Sequence, residues 1–124
     1  MTAFDIDAAR RHLRRREAER RERLKDLAQR ARRDAQRIVE MLIARYRPRR
    51  IYQWGSLLEV EGFREWSDID IAVEGLEGPL TGLRAADDAR QMTGFPVDLV
   101  ELERIHPLHA DTIRREGKLV YERG

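Results

Sequence analysis

The fold turns on two runs: Trp54-Gly55-Ser56 and, after eleven intervening residues, Asp68-Ile69-Asp70-Ile71-Ala72-Val73. The first closes Arg50-Ile51-Tyr52-Gln53-Trp54, a short β-branched and aromatic segment that reads as a strand ending at a glycine. The second alternates strictly from Ser67 to Val73. Ile69, Ile71 and Val73 lie on one face, and Asp68 and Asp70 lie on the other. That pattern predicts a sheet strand with one face buried and the other presenting carboxylates.

Working outward, Leu57 to Glu61 reads as one or two helical turns broken by Gly62, and Glu74 to Pro79 as a loop. Leu80 to Met92 is expected to be a helix stopped at Thr93-Gly94. Val97 to Leu102 is a third strand, with Asp98 second in it. Pro107 opens a last helix that reaches about Glu116 and stops at Gly117. Leu119-Val120-Tyr121 adds a short edge strand.

Upstream, Thr2 or Asp5 can cap a helix that runs without Gly or Pro to about Arg47, and Pro48 ends it. Leu24, Leu27, Ala28, Ala31, Ala35, Ile38, Val39, Leu42 and Tyr46 recur at three- and four-residue steps, an apolar face able to pack on a sheet. Between Arg10 and Arg23 only Leu13 and Ala18 are apolar. That half has little to bury and is expected to project or to pack on another chain, pairing of two copies included. The order α, β, short α, β, α, β, α, β defines a single α+β domain over residues 24–124, preceded by an Arg-rich extension at 1–23.

Composition narrows the function classes. The chain has 124 residues, enough for one compact core. Charged residues make up 39%, against an average near ~25%. Residues 10–50 hold 17 Arg and Lys against 6 Asp and Glu, whereas residues 51–124 hold 8 against 15. The basic block suits an acidic partner, a nucleic acid or the chain's own acidic half. With no cysteine, disulfides and thiolate metal sites are excluded. No apolar run reaches membrane-spanning length, and the N-terminus lacks the apolar stretch of a signal peptide. A cytoplasmic protein without a membrane partner is the expectation.

The chemistry rests on three acids. Asp68 and Asp70, two apart on a strand, project from one face, and Asp98 meets them if its strand pairs alongside. Carboxylates gathered at neutral pH repel unless cations neutralise them. Hard oxygen donors favour Mg²⁺, which keeps waters and completes its shell with substrate phosphates. Two such ions can clamp the attacking and leaving oxygens of a phosphoryl displacement. Gly55-Ser56, at the end of a strand and the start of a helical turn, offers free N–H groups and a hydroxyl to phosphates.

These motifs, taken in order, resemble a minimal nucleotidyltransferase of the DNA polymerase β superfamily, over about Ile38 to Glu122. The resemblance implies a small mixed sheet with helices packed on one face and the acids on the open face. It implies Asp68, Asp70 and Asp98 as ligands of two Mg²⁺ ions and as the catalytic residues, Asp98 also assisting deprotonation of an acceptor hydroxyl. Gly55 and Ser56 would hold the triphosphate of ATP, whose AMP passes to a hydroxyl with release of pyrophosphate. Two departures stand out: the gap before Asp68 is one residue longer than is usual, and Leu57-Leu58-Glu59 stand where a basic and a small residue commonly follow.

At 124 residues the chain is expected to lack room for a second domain that would hold an acceptor. Minimal members of this family are often antitoxins paired with a helical HEPN ribonuclease, and the resemblance therefore implies a toxin protein as partner and acceptor. An alternative is a non-catalytic antitoxin that neutralises its partner by occlusion. A third reading is nucleic-acid binding through the Arg-rich helix. Trp54 and Trp66 flank the motifs and could stack on a base, though such positions more often serve packing. Arg64 could reach a phosphate or pair with Glu61 or Glu65. His106 and His109 read as capping and decorating the last helix.

Overall fold

The computed structural model describes residues 3–58, 63–64 and 67–124. The first helix, α1, runs unbroken from Ala3 to Tyr46, 44 residues with no glycine or proline, a rod of about 66 Å. Its second half buries the predicted face: Ala28, Ala31, Ala35, Ile38 and Leu42 are each 1% exposed or less. Residues 10–23 are exposed throughout. The helix ends where Arg47 takes a left-handed φ of 48° and Pro48 follows. The Arg47 N–H still donates to the Leu42 carbonyl at 3.1 Å.

Strand β1 (Arg50–Trp54) leads into a 3-10 turn at Gly55–Leu58. Strand β2 is Ile69–Glu74, helix α2 Thr81–Arg90, strand β3 Val97–Glu101, helix α3 Pro107–Glu116 and strand β4 Lys118–Glu122. The predicted order therefore holds, with shifts at element ends. β2 begins two residues later than the alternation suggested. The Arg64 N–H donates to Ser67 Oγ (2.8 Å) and the Ser67 N–H to the Arg64 carbonyl (3.0 Å), a local turn that competes with the ladder. Asp68 thus sits just ahead of the strand. The expected turns beyond Leu58, the break at Gly62, the role of Trp66 and the pairing of Arg64 with Glu61 or Glu65 lie outside the described residues.

The sheet order is β3-β2-β1-β4, with β1 antiparallel to both neighbours and β2 parallel to β3. Ile51, Ile69, Ile71, Val73 and Val97 form one face and pack against α1 and against Ala85 and Ala89 of α2. The many alanines on both helices let backbone and sheet approach closely. On the other face α3 lays Ala110 and Ile113 over Tyr52 and Ala72. This helix starts at Pro107 and is capped by His106 Nδ1, which accepts the Leu108 N–H at 3.1 Å. It covers the Tyr52–Ala72 part of that face and leaves Asp70 half-buried and Asp98 exposed.

Candidate active site

Three facts of register assemble the site. Asp70 lies opposite Asp98 in the parallel β2–β3 pair and opposite Trp54 in the antiparallel β1–β2 pair. Neighbouring strands run about 4.8 Å apart. The Ile69 N–H donates to the Pro96 carbonyl (2.8 Å), fixing the entry of β2 against that of β3. Asp68 precedes Asp70 by two residues and acts on it electrostatically, as does Asp98.

Gly55 brings in the turn. Its φ is +79°, the left-handed region that favours glycine. A Cβ there would collide with the Asp70 carboxylate and lie 3.0 Å from its Cγ. The phosphate-type turn and the central acid are thus in direct contact, and only a residue without a side chain permits it. Ser56 follows, half-buried, and its hydroxyl has no partner among the described residues. Leu57 points inward at 3% exposure, and Leu58 reaches the surface.

The electrostatics are unbalanced. The Asp70 carboxyl is pushed up to about 7, first by burial and then by the charges of Asp98 and Asp68. Among the described residues none of the three carboxyl groups has a hydrogen bond or an ion pair, in a chain holding 25 Lys and Arg. Three hard oxygen donors without a cation of their own suit Mg²⁺. Among the described residues no three acidic or imidazole groups close around a metal by themselves. An open set fits an ion that takes one or two carboxylates and completes its shell with phosphates.

Beside the turn lies a cleft of about 470 Å³ lined by Trp54, Gly55, Leu58, His109, Thr112 and Glu116, among others. His109 meets the Trp54 ring edge-on, centroids 5.4 Å apart, and the Trp54 Nε1–H is buried without an acceptor. The sequence left Trp54 open to base stacking but favoured packing; its pairing with His109, 55 positions on, carries no local signal. At the far end of the same sheet face, Glu74 receives Arg50 Nη1 at 2.7 Å and Arg114 Nε at 2.9 Å. Sequence reading missed this clamp, because its members are 24 and 40 residues apart.

A mixed sheet whose central acid touches a glycine-serine turn, with a second acid paired beside it, defines the class of nucleotidyl-transferring domains. Residues 36–124 match the model of the family described as polymerase beta nucleotidyltransferase, and the chain belongs to that family. No curated protein matches it. Solved structures with the same fold include a variant of the toxin–antitoxin MntA–HepT, at 21% identity and a TM-score of 0.60, covering 72% of this chain and 73% of the other. A toxin–antitoxin structure with AMP-PNP is 23% identical with a TM-score of 0.58, covering 70% and 73%. A tri-AMPylated Shewanella oneidensis HEPN toxin in complex with its MNT antitoxin is 21% identical with a TM-score of 0.57, covering 75% and 73%. Among the described residues no helix is long and apolar enough to cross a membrane.

Proposed function

We propose that the chain is a cytoplasmic, Mg²⁺-dependent nucleotidyltransferase that moves AMP from ATP to a hydroxyl of a HEPN-type toxin partner, acting as the antitoxin of the pair. The observation that carries this is the contact of Gly55 with Asp70, beside two further acids that have no counter-ion among the described residues. Asp68, Asp70 and Asp98 would hold the metal ions, which supply charge neutralisation at the phosphates. The N–H groups and hydroxyl at Gly55-Ser56 hold the β- and γ-phosphates. Asp98, the most exposed of the acids, takes the proton of the incoming hydroxyl. The acceptor oxygen bonds to the α-phosphorus as the bond to pyrophosphate breaks. The AMP-PNP and AMPylated-toxin structures of its fold relatives support the choice of adenine nucleotide and acceptor.

The test is incubation of the protein with α-labelled ATP, Mg²⁺ and the product of the adjacent gene as candidate partner. Label on that partner, abolished by Asp70→Asn, is the expected result; no label on it with an intact, folded pair would refute transfer. A second reading has its own observation: Leu57 and Leu58, not a cation, follow Ser56. On that reading the protein neutralises its partner by covering it, and Asp70→Asn still protects cells from the toxin.

A further inference from the structure

Arg16, Arg23, Arg30 and Arg37 stand at seven-residue intervals on α1. Seven residues fall about 20° short of two full turns, so the four stems stay within about 60° of one another. They form a row of about 32 Å, successive stems about 10.5 Å apart. Arg33 joins it one turn beyond Arg30, and all five side chains are exposed. The row is not the buried seam, which passes through Ala28, Ala31 and Ile38 on another side of the helix.

Its charges are uncompensated. Among the described residues Arg16, Arg23, Arg30 and Arg33 make no ion pair, although Glu17, Glu19 and Glu22 stand on the same helix. Arg37 meets Asp34 only at 3.9 Å, and Asp34 accepts a 2.6 Å hydrogen bond from Thr93. At its lower end Arg30, Arg33 and Arg37 border an open cleft of about 560 Å³ with Asp34, Gly94 and Phe95. The Phe95 ring is half-buried, its inner side set edge-on against Phe63.

We propose that this row is a track for single-stranded nucleic acid, its phosphates on the arginines and one base in the Phe95 cleft. Complementary charge gives a straight row of unpaired guanidinium groups a use, and among the described residues this row alone leads into an aromatic cleft. The straightness of the row selects the strand. A duplex backbone curves away from a straight helix within a turn, whereas a flexible strand follows it. An aromatic ring at the end of a basic track offers its face as a platform for an unstacked base. The surface is separate from the acid site and does not depend on the transfer reaction.

The test is fluorescence anisotropy of the full chain with a labelled RNA strand of about 20 nucleotides. Binding should weaken with salt, log K falling against log salt with a slope of about −2 to −3, for three to four contacts at ~0.7 ion each. The variant R16Q/R23Q/R30Q should lose about a hundredfold at about 0.1 M salt, three such contacts over one decade of concentration. R10Q/R14Q/R21Q removes the same charge from the opposite side of α1 and should lose less than about threefold, since screening leaves only long-range attraction there. Glutamine is a good helix former, so both triples keep the rod. Equal losses from the two triples, salt-independent binding, or equal affinity for a duplex of the same sequence would each overturn the proposal.

Discussion

Asp70 and Glu74 stand four residues apart on one face of one strand, and their surroundings are opposite. Glu74 is 8% exposed and held by two arginines, Arg50 and Arg114. Burial pushes its carboxyl up, but hydrogen bonds from Arg114 and Arg50 more than offset that, so it lies below the ordinary range. Asp70, only half-buried, has acids alone for company and is pushed up to about 7. The fold supplies its own cations where a carboxylate serves structure. It withholds them at Asp70, where on the proposed function the cations would arrive with a substrate. A buried acid is thus read by what neutralises it, not by its depth.

The comparison breaks most sharply at Asp70 itself. Asp70→Asn should cut AMP transfer by about a thousandfold, several kcal/mol of charge stabilisation at the phosphates being lost. A melting scan should find the variant no less stable than the parent. Glu74→Gln is the converse. It leaves Arg50 and Arg114 facing a neutral amide and should cost about 2 kcal/mol in denaturant unfolding, less than the ~3–5 kcal/mol of a broken buried pair because both arginines are partly exposed. Nucleotide binding should be unaffected.

Gly55→Ala sharpens the link between turn and acid. The left-handed backbone alone costs about 1 kcal/mol, and the new methyl displaces the Asp70 carboxylate. Weakened Mg²⁺-dependent ATP binding, read by calorimetry, is the expected result.

The two carboxylates also respond to pH with opposite sign. With its folded value raised to about 7 from 3.8, Asp70 keeps in the native state a proton that the unfolded chain releases. The stability it contributes is complete below about 4 and is lost as pH rises through 7. Glu74, its value lowered, stabilises above the ordinary carboxylate range and loses that contribution as pH falls. Between pH 5 and 8, without divalent ions, the melting temperature should therefore carry a fall set by Asp70. Mg²⁺ should restore it at pH 8 and have little effect at pH 5; the same rise at both would contradict the assignment. The smallest effect belongs to Trp54→Phe. Removing a buried N–H that has no acceptor should be neutral or stabilise by up to about 1 kcal/mol in thermal unfolding.

The elements themselves were legible in sequence. Strict alternation at Ile69, Ile71 and Val73 set the buried face of β2, and the three- and four-residue recurrence from Leu24 set that of α1. Both are local periodicities. The pairing of β2 with β3 is not local, so the meeting of Asp70 with Asp98 could be stated only as a condition. The cover of α3 over Tyr52 and Ala72 was illegible for the same reason: strand alternation shows two faces but not which helix lies on which. Glu74 read as the first residue of a loop because its two arginines come from β1 and α3. The contact of Gly55 with Asp70 needed the antiparallel register of Trp54 with Asp70, which no spacing encodes.

That mixed sheet also fixes when the site exists. β1 and β2 follow one another in the chain, but Asp98 reaches its place only by the crossover through α2, and β1 is flanked on its second side by the last strand, Lys118–Glu122. During synthesis the turn and the first two acids emerge well before the third. Parallel pairing across a helical crossover is slower to form than pairing of strands close in sequence, so Asp98 is expected to join after β1 and β2 have met. A chain stalled before Val97 would carry Asp68 and Asp70 beside β1 but lack the strand that brings Asp98 to them.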